Sequence, residues 1–460
     1  MQAVELPECD VLCVYGPPNS EVVAWLDENP ERYVVVISEG EIAPSHVRMR
    51  SVSIQDEESL KKVAWEFVFL KFSYLGDHGA FAKMQYFQEG VQLVASDYKE
   101  RGLDLLANFM QNSELFDRAR DGKDLFGSFS NVPAIICGAG PSLEEQIPYL
   151  RSLKDRALLF AGGTTLSSLS QFSIRPHFGG LVDPHPPVER LFAQQAHEVP
   201  LFFQARAHPT LLKQMQGPLL KIPGSDNDFF ESDSFDAGWN VTTFLVALAT
   251  HLGCSPIILV GVDLAQREEK CYAGDLNRTE GGELIEVEEG LSTRRDWLFA
   301  ANWLSEFAKK HPEVEWVNAS DGLNIEGIEK KQLSDISFER ENDLTSMIHG
   351  RIQGMEQGVF PDFQSEALKA SFQNVGKLCE QMLLLLEKIF PEPPEKNGEY
   401  ILLELELEKE MAMGAFLKPV WDRWKYVFMR QISNEIPEAY GIGLNQWLFI
   451  KGICDDAGTL

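Results

Sequence analysis

Several stretches of this sequence end an apolar run with residues able to bind anions, metals or protons. In AIICGAGPSLEEQIPYL (134–150) the run closes at Cys137, and Gly138, Ala139, Gly140, Pro141 and Ser142 follow. Glycines permit a tight turn, proline fixes φ, and Ser142 is suited to cap a helix starting near Leu143. Such a turn aims backbone N–H groups and a helix start at one point, which suits a phosphate. It lacks the Gly-Lys-Ser/Thr of a P-loop, and Leu143 replaces the third glycine of GxGxxG. FAGGTTLSSL (160–169) repeats the pattern, with Thr164 and Thr165 at the start of a helix as ligand contacts or caps. In FGGLVDPHPP (178–187), Asp183 and His185 close a third run. A carboxylate there can take a ribose hydroxyl or magnesium, and the imidazole can act as acid or base. A turn-capping aspartate is the plainer reading of Asp183. In the segment 236–265, Gly238 and Asn240 precede a helix that Asn240 can cap, and Asp263 follows an apolar run at 257–261. Tyr272 lies in the polar loop that comes next, of a kind that often covers substrate.

Strands must carry these turns. Apolar runs at 134–137, 157–161, 178–182, 200–204, 257–261 and 314–317 show little polar alternation, the pattern of strands buried on both faces of a parallel sheet. The fold class is α/β, a Rossmann-like, mostly parallel sheet with helices on both faces. Ahead of it, strands at 10–16, 33–38 and 47–53 enclose a short helix, and helical periodicity runs from Glu57 to about Phe116 with breaks at Gly76 and Gly79. Residues 121–133 have the look of a linker. Leucine-rich helical patterns at 338–356, 363–389 and 400–437 fill the rest. The expected division is an N-terminal α/β then helical domain (1–130), a nucleotide-binding domain (131–335) and a C-terminal helical region (336–460). The apolar faces of the last require a partner surface: the core domain, the N-terminal domain or a second copy of the chain.

The 460 residues carry a net charge of −29, which disfavours nucleic acid and anionic lipid as partners. Seven scattered cysteines do not form a disulfide pattern, and Cys9 and Cys13 have no further ligands near for zinc. The N-terminus has no signal-peptide pattern, and no run reaches the ~18 apolar residues of a membrane helix. A cytoplasmic location is expected.

Taken in order, GAGPSL, a strand ending in Gly-Thr, IRPHFGGLVDPHP, GWNV…LGCSPIILVGVDLA and WVNASDGLNIEGI resemble the domain shared by Maf-type flagellin glycosyltransferases and MptE-like 6-hydroxymethylpterin diphosphokinases. The resemblance covers about residues 131–330. GAGPSL is also similar to the GNGPSL turn that binds the cytidine nucleotide in bacterial CMP-sialic acid sialyltransferases. Ala139 stands where those enzymes have asparagine, and Asn240 where many Maf-like proteins have serine. The resemblance implies a transferase that moves a CMP-activated nonulosonic (sialic-like) sugar to a protein or glycan acceptor. Gly138–Ser142, Thr164, Gly238, Asn240 and Asp263 would hold the nucleotide, and Asp183, His185 and Tyr272 would serve catalysis. The first alternative is a diphosphokinase using ATP and magnesium, with Asp183 and Asp263 as the metal ligands. The second is a non-catalytic nucleotide-binding or assembly protein.

Overall fold

The computed structural model describes residues 6–40, 42–76, 78–186, 198–224, 234–266, 272–273, 284–288, 290–338, 343–358, 365–430 and 437–457. The chain forms two compact units, residues 1–103 with 370–460, and residues 104–369. This differs from the expected three-part division. The C-terminal helices from residue 370 cluster with the N-terminal residues, and the segment 336–369 belongs with the central sheet.

The first unit has a four-stranded parallel sheet of β1 (Val11–Tyr15), β2 (Tyr33–Ser38), β3 (Met49–Ser53) and β4 (Phe72–Tyr74), in the order β3-β2-β1-β4. Helices α1 (Ser20–Glu28) and α2 (Glu57–Glu66) connect the strands. Asn19 and Asp56 cap them through their side chains. The strand β4 escaped sequence reading because three residues are too few for a period. The long helix α3 (Ala80–Ser113) passes from this unit into the second.

The second unit is built on a nine-stranded parallel sheet. Its strands are β5 (Arg120–Asp121), β6 (Ala134–Cys137), β7 (Leu158–Gly162), β8 (Phe178–Leu181), β9 (Leu201–Phe203), β10 (Leu219–Lys221), β11 (Ile257–Val260), β14 (Trp316–Asn318) and β15 (Glu329–Lys330). Their order is β15-β14-β11-β6-β7-β8-β9-β10-β5. A separate antiparallel pair joins β12 (Ile285–Glu288) to β13 (Leu291–Thr293). The supposed linker 121–133 supplies part of edge strand β5, a 3-10 turn at Gly122–Leu125 and the buried Phe129. Strands β6, β7, β8 and β11 are buried throughout, as their uninterrupted apolar runs require.

Helices α4 (Leu143–Ser152), α5 (Thr164–Gln171), α6 (Pro209–Gln214), α7 (Val241–His251), α8 (Arg295–Lys310) and α9 (Leu344–Gln353) cover the sheet. The segment Phe244–Ala249 of α7 is buried all round, and α7 packs on β6, β7 and β8. Such an apolar helix is stable only inside a core. The same core takes in Leu344, Ile348 and Ile352 of α9.

Helices α10 (Ser365–Ile389), α11 (Gly398–Leu407), α12 (Lys418–Met429) and α13 (Glu438–Ala457) complete the chain. In the first unit, Arg430 donates to the carbonyls of Glu66 (3.0 Å) and Val68 (2.8 Å), and Trp424 stacks on Phe69. These contacts fix α12 against the end of α2. The six described cysteines are free and buried.

His177, in the IRPHFGG stretch, joins β7 to β8. Its N–H donates to Leu159 O, and its Nδ1 accepts from Leu159 N at 2.9 Å. The ring is therefore neutral with its proton on Nε2. Burial and the Lys154 charge push its pKa down to about 4. The unfolded chain, near 6.5, binds the proton first, so stability is complete above pH 6.5 and falls as pH drops toward 4. The loss from this residue is roughly 3 kcal/mol. Urea unfolding at pH 7.5 and pH 4.5 should show His177→Gln losing less stability over that interval than the natural protein. An equal loss would rule out His177 as the source.

Candidate functional site

The strand order reverses at β6. From there the chain winds outward through β7, β8, β9 and β10, then returns to the other side of β6 as β11. In an open parallel sheet, ligands bind in the crevice beyond the carboxyl ends of the strands at such a point. The glycine turn after β6 and the Asp263 loop after β11 form the two walls of that crevice.

The walls are fastened together. Gly138 N donates to Val260 O (2.7 Å) and Gly140 N to Gly261 O (2.8 Å). A β-carbon at Gly261 would stand 2.7 Å from Gly138 O, so this approach needs a glycine. Asp263 closes the joint: Oδ2 accepts from Ser142 N (2.9 Å), and Oδ1 accepts from the Ser142 hydroxyl. Asp263 is buried, which pushes its carboxyl pKa up, while the bonds from Ser142 pull it back. Its backbone carbonyl accepts from Leu323 N, and Ser320 Oγ accepts from Val262 N, so the β14 exit loop braces the same point.

This geometry corrects two expectations. Ser142 does not cap α4; its hydroxyl goes to Asp263. The glycine turn does not form a cradle of outward N–H groups either, because those of Gly138, Gly140 and Ser142 are bound to the β11 side. Glu144 and Glu145 also occupy the first turn of α4 and repel an anion there. Partly exposed Ala139 and Pro141 line the rim. Ala273 N donates to Ala139 O at 2.8 Å, which places neighbouring Tyr272 beside this turn. Most of the loop around Tyr272 lies outside the described residues.

The start of α7 is closed as well. Asn240 Oδ1 accepts from Thr242 N and Thr243 N, both at 3.0 Å, and Thr243 Oγ1 accepts from Asn240 N. Gly238, which leads into this cap, is held by Asp236, and Asp236 also accepts from Trp303 Nε1 (2.9 Å). The start of α5 differs. Gly163 precedes it at φ +51, no side chain among the described residues is seen to cap it, and its first turn has no acidic residue. Gly163 and Thr164 are partly exposed.

Asp183 is exposed at the end of β8, and its Oδ1 accepts from His185 N (2.9 Å), the turn-capping role. Asp183 and Asp263 stand three strand positions apart, ~14 Å at the usual spacing. A single magnesium ion, with ligands near 2 Å, does not take both. Among the described residues no cluster of three His, Cys, Asp or Glu side chains could hold a metal, and no helix is long and apolar enough to cross a membrane.

Sequence reading passed over two asparagines that organise this edge. Asn108 and Asn112 of α3 are buried. Asn108 Nδ2 donates to Pro184 O (3.1 Å) and Arg206 O (3.2 Å). Asn112 Nδ2 donates to Ala205 O (2.8 Å) and Ala207 O (2.6 Å). Polar residues four apart on an apolar helix face were the available signal.

Asp263→Ala would leave Ser142 N and Oγ without acceptors in a buried place. A loss of about 1–3 kcal/mol is expected from the urea midpoint, a typical cost for such groups. A variant as stable as the natural protein would show that the joint does not hold the two loops.

Comparison with known proteins follows this geometry. Residues 107–269 match the family profile described as 6-hydroxymethylpterin diphosphokinase MptE-like. Among curated proteins no relative matches. The structure of the MAf glycosyltransferase from Magnetospirillum magneticum AMB-1 is similar at a TM-score of 0.56 and 14% identity, covering 98% of this chain and 74% of that one. The chain is thus similar to MptE-like proteins over residues 107–269 in sequence, and to a Maf glycosyltransferase in fold.

Proposed function

We propose that this protein is a nucleotide-dependent transferase that moves a group from an activated donor to a hydroxyl acceptor. In the favoured form the donor is a CMP-activated nonulosonic sugar and the acceptor a protein or glycan. The observation that carries this reading is the start of α5. Gly163, Thr164 and Thr165 begin that helix beside the β6–β11 crevice with no capping side chain and no acidic residue. Its N–H groups and the Thr164 hydroxyl suit the donor phosphate and the negative charge that grows on it as the bond breaks.

The nucleoside then lies along Ala139, Pro141 and the Gly238–Asn240 turn. The transferred group points over β8 toward Asp183 and His185. Tyr272 covers the nucleoside side, beside Ala139. The solved glycosyltransferase of like fold supports this form. The family profile favours a second one, in which diphosphate passes from ATP to a hydroxymethylpterin. Magnesium would then be bound by Asp183 with the donor's own phosphates.

Thermal shift with CMP, CTP, CMP-sugars, UDP-sugars and ATP, each with and without magnesium, separates the two forms. A ligand at a hundredfold excess over its Kd stabilises by about 2.7 kcal/mol. Thr164→Glu locates the phosphate. A carboxylate at a helix start favours the helix by roughly 0.3–1 kcal/mol and repels phosphate. The variant should melt no earlier than the natural protein and lose the nucleotide-induced shift. A retained shift would remove the α5 start from the site.

A further inference from the structure

The first unit carries a cavity of about 740 Å³ between strand β4 and the first half of α3. Its size falls within the range of small-molecule sites. Strand β4 ends the sheet order, so its outer edge pairs with no strand. Val11 N donates to Lys71 O (3.1 Å) and Leu75 N to Cys13 O (2.9 Å), which turns the main chain of Ser73 toward β1. By the alternation of a parallel ladder, the main-chain groups of Phe72 and Tyr74 face outward. Among the described residues these outward groups have no hydrogen-bond partner. Each residue therefore offers an N–H and a carbonyl to the cavity side.

The helix wall is polar. Gln85, Gln88, Glu89 and Gln92 recur at three- and four-residue spacing, so they share the face of α3 that lines the cavity. A helix beside a sheet ordinarily turns apolar residues to it. Each glutamine amide can both donate and accept, and the carboxylate accepts. Gln92 Oε1 takes the N–H of Phe69 at 3.1 Å. Phe69 stands at φ +66, a conformation costly for a bulky side chain, and Trp424 stacks on its ring at 6.0 Å. Together these contacts hold an exposed aromatic ring at the rim. Phe72 adds a second ring to the lining. The charged residues of the wall, Lys71 and Glu89, offset each other.

We propose that this cavity binds a neutral saccharide. Sugar hydroxyls both donate and accept, which matches amides, a carboxylate and unpaired main-chain groups set around one space. The C–H faces of a sugar ring pack on the phenylalanines. A phosphate or carboxylate ligand needs surplus positive charge, and the wall has none. An added peptide strand needs donors and acceptors at the strand period on both sides, whereas the α3 side repeats by helical turns. The nucleotide crevice belongs to the other compact unit, so this site stands whether or not the transferase reading holds.

Saturation-transfer NMR on the full-length protein tests the proposal. The probes are glucose, galactose, N-acetylglucosamine, maltose and lactose, with an alternating threonine–valine hexapeptide as the strand probe. At least one sugar should receive saturation from the protein, and the peptide should receive none. Gln88→Leu removes one amide and keeps helix propensity, so its melting temperature should match that of the natural protein. Its Kd for that sugar should rise roughly three- to tenfold, the fold-change of one hydrogen bond. Glu89→Gln, which keeps the size of the side chain, should weaken the same sugar by a similar factor, and it decides the matter if Gln88→Leu melts early. No transfer to any sugar overturns the proposal, as does a sugar that both variants bind as well as the natural protein. Transfer to the peptide alone gives the strand edge to a polypeptide partner and overturns it too.

Discussion

The second unit depends on the joint between Asp263 and Ser142. A parallel sheet wound in both directions from one strand opens a gap where the windings part. Here that gap is bridged by a buried carboxylate that accepts two hydrogen bonds from one serine, and by glycines that let the two loops meet main chain to main chain. With the β6 and β11 exits locked, the neighbouring turns acquire fixed positions. The α7 start is self-capped, the α5 start is left open, and the Asp183–His185 loop lies one strand further on.

The sheet was legible where its strands are long and apolar. Runs such as AIIC, ALLFA and IILVG announce burial on both faces, and the order of strand, turn and helix implies parallel pairing. The short strands β4, β5, β10 and β15 were not legible, because two or three residues show no period and their pairing comes from tertiary contact. The placing of the C-terminal helices was undetermined for a related reason. An amphipathic face shows that a helix must pack, not on what.

The candidate site was legible in position more than in role. Glycines, serine and aspartates at strand ends marked the ligand edge of the sheet. Yet Ser142, Asn240 and Asp263 bond to one another's loops or to their own helix, which spacing along the chain does not reveal. Asn108 and Asn112 were invisible as holders of this edge because they come from α3 and bind carbonyls 76 to 98 residues away along the chain. Only folding brings them together.

The bonds that Asn108 and Asn112 make have a consequence for how such a protein changes over generations. Both amides grip main-chain oxygens and no side chain of the loops they hold. Replacing the side chain at 185 or 208 therefore alters the chemistry of the edge without removing the bonds that the two amides make. A scaffold of this kind separates shape from reactivity. One pair of helix residues keeps the geometry, while the side chains of the loop positions are left free to change.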